Sequence, residues 1–254
     1  MEYPKNASSM YHASEQIVEF PKWNYEKDST AAITKDFGHG FYMCETPEYP
    51  IRLYSDRSVD DKRVFLNEYT YDWSGLNALT LTDSLYWAMV VAAHRSDFSR
   101  RRKWHPFRDA VRASLAPYEL IIGTISNDRL FSTMNDFIRG RCTDAFLLDC
   151  LQYMQYPYQY VTKCDKADKK LTFIGYAEIS QIELRDVFEK QEADRIAMED
   201  VVDERQDAHR KLVREQRESG DYSNEGRFFG DIIDDWLEAG KPMGSELVSF
   251  LEGE

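Results

Sequence analysis

Near Ser180 the chain changes character, and that break restricts its possible folds more than any other feature. Before it, short aromatic and β-branched runs alternate with turn residues. After it, Gln181 to Arg217 is almost free of aromatics and dominated by Glu, Asp, Arg, Lys, Gln and Ala. Runs of the first kind read as strands, because branched and aromatic side chains suit a pleated, half-buried surface. They are Ser9 to His12, Gly40 to Cys44, Arg63 to Tyr71, Glu119 to Ile125, Gln159 to Thr162 and Leu171 to Tyr176. Between them, apolar residues recur at helical spacing in Thr82 to His94, Phe107 to Leu115, Leu130 to Ile138 and Thr143 to Gln152, with Thr82 and Thr143 as expected N-caps. No regular β-α-β beat and no Gly-rich turn after a strand is present, which argues against a doubly wound nucleotide fold. The expectation is an α+β body with small split sheets over residues 1–180 and an acidic helical extension over 181–254.

The extension carries most of the charge. The formal net charge is −13, and the residues from Gln181 onward hold 21 acidic against 10 basic side chains, a net of −11 that leaves −2 for the first 180. Such a balance argues against a general phosphate-binding surface, since nucleic-acid affinity comes mainly from neutralised phosphates. One basic cluster stands apart: Arg95, Arg100, Arg101, Arg102, Lys103 and Arg108, interleaved with Phe98, Trp104 and Phe107. It reads as a solvated loop or as a contact for RNA or an acidic partner.

Within the extension, Gln181 to Arg217 is compatible with one long helix bearing a thin apolar stripe. A short amphipathic helix follows, with Phe228, Phe229, Ile232, Ile233, Trp236 and Leu237 on one face, ended by Gly240, and then a last helix over Ser245 to Leu251. The Phe228 to Leu237 face either folds back on the body or docks on a partner protein.

Cys44, Cys142, Cys150 and Cys164 lie far apart with no C-x-x-C spacing, so buried free thiols are expected and neither a zinc site nor a disulfide framework. Met1 to Phe20 is polar and lacks the layout of a secretion signal, and no apolar stretch approaches the roughly 20 residues that span a bilayer. A cytoplasmic protein with no membrane association is expected.

Several standard catalytic signatures are absent: G-x-x-x-x-G-K-[ST], H-E-x-x-H, G-x-S-x-G and the kinase catalytic loop. Among the five histidines, His94, His105 and His209 sit in polar or basic surroundings, leaving His12 and His39 as the informative ones. His12 lies in Tyr11-His12-Ala13-Ser14, a small-residue exit from a strand. His39 lies in Asp36-Phe37-Gly38-His39-Gly40-Phe41-Tyr42, where two glycines allow a close backbone approach to a ligand. By itself this segment also reads as a bare structural turn.

Four blocks in order carry a resemblance: Tyr-His-x-Ser at Tyr11 to Ser14; Asp-Phe-Gly-x-Gly-Phe-Tyr at Asp36 to Tyr42; the strand and turn Tyr118 to Phe131, with Asn127-Asp128; and Gln159 to Lys163 followed by Leu171 to Ile174. Together they resemble a bacterial family of the ADP-ribosyltransferase superfamily, catalogued mainly as a domain of unknown function. The resemblance implies an ADP-ribosyltransferase-like split-sheet core, with NAD as substrate in the cleft between the sheets. By the same resemblance, His12 bonds the adenosine ribose and the main chain of Ala13, beside Ser14, meets the nicotinamide carboxamide. Gly38, Gly40 and Phe41 line the site, and Tyr42 stacks on nicotinamide. A second ring comes from Tyr54, next to Leu53, or from Tyr49. Gln159 takes the position that often holds Glu, bonding a ribose hydroxyl without adding negative charge, with Gln155 or Glu178 as alternatives.

Asn127 and Asp128 either cap an Asx turn or sit at the cleft mouth, orienting substrate or acting as base. Arg52 and Arg95 are candidates for the pyrophosphate. The implied function is mono-ADP-ribosyl transfer to a protein or nucleic-acid acceptor, as in a bacterial or phage-related toxin restrained by an antitoxin. The alternative is an inactive member of the fold that binds protein through its C-terminal helices.

Overall fold

The computed structural model describes residues 8–24, 35–55, 63–95, 102–126, 128–153, 157–219 and 226–253. Seven strands form one mixed sheet: β1 (Ser8–Ser14), β2 (Phe41–Cys44), β3 (Val64–Tyr71), β4 (Ala78–Leu81), β5 (Leu120–Thr124), β6 (Tyr158–Thr162) and β7 (Leu171–Ile179). Their spatial order is β4-β5-β6-β2-β1-β3-β7. All pairings are antiparallel except β4 with β5. The α+β class follows directly.

The expected split into small sheets is replaced by a single sheet with a thin seam. β1 pairs with β3 along its whole length, and β2 pairs with β6 along its own. β1 and β2 meet at one registered pair, Tyr11 with Cys44. That seam joins a β4-β5-β6-β2 half to a β1-β3-β7 half. Ile174 stands at a bulge in β7 opposite Glu68 and Tyr69, where the register shifts and the edge strand bends.

The sheet divides the apolar residues by alternation. Met10, Phe41, Met43, Tyr69, Tyr71, Leu120, Ile122 and Tyr160 form a core on one face. On the other, Ile121 and Val161 join a larger core built by α2 (Leu85–Arg95), α3 (His105–Ser114), α4 (Asp128–Ile138), α5 (Asp144–Tyr153), α8 (Phe229–Glu238) and α9 (Ser245–Glu252). α2 is buried around most of its circumference, from Leu85 to Ala93. A third, small cluster of Ala13, Val64, Ile179 and Leu184 lies under α1 (Glu48–Ser55) and the start of α7 (Gln181–Ser219). A four-residue helix, α6 (Asp165–Asp168), links β6 to β7.

Two helix starts resolve the capping expectations. Thr143 sits just before α5, its hydroxyl accepting from the Phe146 amide at 3.5 Å, as expected. For α2 the cap is Ser84, whose hydroxyl accepts from the Trp87 amide at 3.3 Å, and not Thr82. β4 was not anticipated because its Ala-Leu-Thr-Leu run is a short edge with mostly solvated side chains.

α7 runs unbroken for 39 residues, matching the long helix expected from Gln181. It touches the body at Leu184 and again at His209, which stacks on Phe146 with ring centroids 4.2 Å apart. The proposed docking face of α8 is occupied by the chain itself. Phe229, Ile232, Ile233 and Trp236 are buried in the main core, with edge-to-face contacts from Trp236 to Phe107 and from Phe229 to Trp104 and Phe137. A partner docking through Phe228 to Leu237 would have to unpack those rings, so that expectation is corrected. Among the described residues, no helix is long and apolar enough to cross a membrane.

Candidate functional site

The seam between β1 and β2 brings the first two sequence blocks together. Past the Tyr11–Cys44 pair the strands share no further registered pair, and a side chain stands in for the ladder. His12 Nδ1 lies 2.8 Å from the Tyr42 carbonyl oxygen. A carbonyl can only accept, so Nδ1 carries a proton, and the Nδ1–H tautomer leaves Nε2 as an acceptor. Phe41 supports the imidazole at 4.4 Å between centroids. Asn67 on β3, fully buried, fixes the strand exit. Its amide nitrogen donates to the Ser14 hydroxyl at 3.1 Å and the His12 carbonyl at 3.2 Å, and its oxygen accepts from the Val18 amide at 2.9 Å. Sequence reasoning passed over Asn67, because a polar residue inside a strand pattern carries no sign of what lies opposite.

The Asp36 to Tyr42 block folds over the face that β2 shares with β6 and β5. Phe37 enters the main core against Gly123, where an added Cβ would lie 2.7 Å from its ring. Gly38 adopts φ +72°, a conformation that disfavours side chains, and a Cβ there would approach the His94 ring to 2.7 Å. A Cβ on Gly40 would lie 2.3 Å from Val161 and 2.7 Å from the Thr162 carbonyl. The close approach expected of both glycines is therefore to the chain's own α2 and β6.

The Tyr42 hydroxyl pins this loop, donating to the Gly38 carbonyl at 2.7 Å and accepting from the Phe37 amide at 3.0 Å. The Lys35 ammonium lies 4.9 Å from the centre of the Tyr42 ring, over one face. Lys163 Nζ donates to the Phe37 carbonyl at 2.7 Å and to the His39 carbonyl. Burial lowers the Lys163 amine to about 8. Burial also lowers the His94 imidazole to about 3, with Lys163 and Arg112 adding repulsion. His94, set aside in the sequence as a residue in basic surroundings, is thus part of the loop's seat.

Beneath the loop lies a buried polar network whose members Asp36, Arg95 and Gln159 stand out singly in the sequence but are not linked by it. Asp36, 7% exposed, accepts from Gln159 Nε2 at 2.7 Å, from the Ser126 amide at 2.9 Å and from Arg95 Nη1 at 3.1 Å. Arg95 also donates to the Ser126 carbonyl at 2.7 Å. Gln159 Nε2 reaches the Thr124 carbonyl at 3.4 Å, which also takes the Trp87 indole proton at 3.1 Å. All three partners of Asp36 donate, so the geometry suits a carboxylate. Burial nevertheless raises its pKa, opposed chiefly by the charge of Arg95. Arg95 is thereby committed to Asp36, and the expectation that it meets a pyrophosphate is corrected.

Strand register sets the spacing of the expected residues. Tyr11 pairs with Cys44, and Cys44 with Gln159, so β1, β2 and β6 lie in one row. Neighbouring strands are about 4.8 Å apart, which puts Gln159 roughly 10 Å across from Tyr11, midway along β1. Tyr42 and Gln159 project from the same face, two residues apart in paired register, whereas the His12 ring packs with Phe41 on the opposite face. Ala13 is buried and Tyr54 lines its small cluster. Arg52 lies over the Tyr49 ring at 5.2 Å.

Glu178 does not substitute for Gln159. It sits on edge strand β7, on the far side of β1 and β3, and forms a two-bond ion pair with Arg63 at 2.7 Å. Asp128 opens α4, with its side chain outside the described residues, as are Asn127, Gln155, Phe98, Arg100 and Arg101 and the Leu53 side chain. From the rest of the basic cluster, Arg108 pairs with Asp109 and Lys103 approaches Asp234 at 3.7 Å. Cys44, Cys142 and Cys150 are buried free thiols, and Cys164 is half-buried.

Fold and site together define an α+β protein whose mixed sheet carries a loop-covered Asp-Arg-Gln network beside a thin seam. The chain belongs to the family described as protein of unknown function (DUF3990), whose model matches residues 9–173. That span contains β1, the Asp36 loop, the polar network and Gln159. It stops before α7, so α8 and α9, although built into the core, lie beyond it. No curated protein and no solved structure matches the chain.

Proposed function

We propose that this chain is an NAD-dependent mono-ADP-ribosyltransferase using the β1–β2 seam and the adjoining face of β6. The observation that carries the reading is the orientation of Gln159. Both neighbours of its amide nitrogen, Asp36 and the Thr124 carbonyl, are acceptors. The NH₂ must face them, and the carbonyl oxygen must point the other way. A fixed acceptor suits a ribose hydroxyl, which is the role the family resemblance gives that position.

The remaining residues lie around the seam, with His12 on the opposite face of the sheet from Tyr42 and Gln159, so one ligand would have to pass through the gap beyond the Tyr11–Cys44 pair to meet both. His12 Nε2 is an acceptor beside the seam, suited to the other ribose. Ala13 is small enough for an amide ring to approach the main chain. Tyr42 offers a ring from which Lys35 would have to move, or whose other face would be used. In the transfer itself the C1′–N bond to nicotinamide breaks, nicotinamide leaves with the bonding pair, and the acceptor's nucleophile joins C1′ as it gives up its proton. Gln159 holds the ribose hydroxyl while positive charge grows on the ring. A neutral amide adds no countercharge, so slow transfer of single units is expected and not polymer growth.

The acceptor is a protein or nucleic acid, with a toxin or effector role suggested by the family resemblance. A direct test is equilibrium binding of NAD to wild type and to His12→Ala. Binding in the micromolar-to-millimolar range, weakened by the substitution, is expected. Absence of binding by the folded wild type would refute the reading.

A further inference from the structure

We infer that Asp36 is a positioning residue: clamped by Arg95 and the Ser126 amide, it dictates which way the Gln159 amide faces, and so makes the site select ligands that donate a hydrogen bond there. This deepens the proposed function and rests on it for the ligand, a sugar hydroxyl, though not for the orientation itself.

An unrestrained glutamine presents either NH₂ or oxygen to a cleft, since its amide flips about a soft terminal torsion. Here one flip state satisfies two acceptors, while the other puts an oxygen 2.7 Å from a carboxylate oxygen. The carboxylate cannot rotate to relieve that contact. One oxygen is held by Arg95 at 3.1 Å, and the other takes the Ser126 amide at 2.9 Å together with Gln159. Arg95 in turn is anchored at 2.7 Å on the Ser126 carbonyl, closing the ring of contacts. Two backbone groups just after β5 and the end of α2 therefore decide the chemistry presented from β6.

The same contacts account for Gln in place of Glu. A carboxylate at position 159 would face that of Asp36 at hydrogen-bond distance, and two carboxylates so placed share a proton and do not both ionise. Glu becomes acceptable when its neighbour is turned into a donor. Asp36→Asn allows this at the cost of the bond from the Ser126 amide, which shares that oxygen: an Asn NH₂ turned toward position 159 donates to the carboxylate and leaves the second carboxylate oxygen as the presented acceptor.

The experiment has two arms. In the first, NMR follows the side-chain amide protons of Gln159 in ligand-free protein. Wild type should show them protected from exchange, and Asp36→Ala, which removes the acceptor outright, should lose that protection. Exchange in folded wild type as fast as in free glutamine overturns the inference, whatever the protein does with NAD. In the second arm, nicotinamide release is compared for wild type, Asp36→Asn, Gln159→Glu and the double variant.

Each single change should lower kcat about tenfold, the worth of one oriented hydrogen bond, with KM less affected. The double variant should recover part of the rate that Gln159→Glu loses. Single losses that track melting temperature, with no recovery in the double variant, would assign Asp36 a purely structural role and overturn the inference. If Asp36→Asn does not fold, the exchange arm on wild type and the Gln159→Glu rate still decide: an unchanged rate for Gln159→Glu overturns it. Protected Gln159 protons in a wild type that neither binds nor cleaves NAD would uphold the orientation and refute the NAD reading.

Discussion

Acid should loosen this protein through one imidazole. His94 lies in the last turn of α2 under the Asp36 loop, against Gly38, and its pKa falls from 6.5 to about 3, first through burial and then through the cations Lys163 and Arg112. Below pH 6.5 the unfolded chain takes up a proton at this position that the folded chain refuses, so stability falls with falling pH until the folded pKa is reached. Each pH unit in that window costs at most about 1.4 kcal/mol, so a change from pH 6.5 to 4.5 removes up to about 2.7 kcal/mol.

Asp36 works in the opposite sense. Its folded pKa is raised, so protonation between 3.8 and the raised value favours the folded state as pH falls. His209, lowered by burial, adds to the loss. The comparison that isolates His94 is therefore urea unfolding of wild type and His94→Gln at a series of pH values from 7.5 to about 4.5. The variant should be less stable near neutrality, where it loses the ring's packing, and should decline less on acidification. Parallel declines would refute the account of His94.

Other consequences can be checked in the same way. Trp236→Ala removes a ring that is 1% exposed, edge-on to Phe107 and bonded to the Pro242 carbonyl at 2.9 Å, and should cost about 3–5 kcal/mol in urea unfolding. A loss below about 1 kcal/mol would mean that α8 is not part of the core. Gly40→Ala forces a methyl group against Val161 and the Thr162 carbonyl and should cost about 1–3 kcal/mol, read from the same curves. Asp36→Ala leaves Arg95 without its buried partner and should cost about 3–5 kcal/mol. Glu178→Gln, on the far edge strand, should leave nicotinamide release as in wild type, and a loss would reopen its candidacy.

How much of this could be read from the sequence depended on whether a signal was local. The six strands expected from aromatic and β-branched runs are all present, as are the long helix and the two short C-terminal helices, because periodicity and the Gly240 stop are local properties. Sheet order was not local. That β6 lies between β5 and β2, which brings Gln159 to Asp36, depends on a β2–β6 pairing across more than a hundred residues. The Asp36-Phe37-Gly38 run is visible in the sequence, but nothing near it announces Arg95 or Ser126 as partners of its aspartate. For α8, amphipathicity established that an apolar face must be covered, and only the fold showed that Trp104, Phe107 and Phe137 cover it.

Whether Gln159 presents an acceptor to NAD is tested by nicotinamide release from NAD by the purified chain, wild type beside Gln159→Ala, with and without cell lysate as a source of acceptor. Release by wild type that rises with lysate and falls about tenfold or more in the variant is the predicted result. A folded wild type that releases none under either condition, or a variant that releases as fast as wild type, would contradict it.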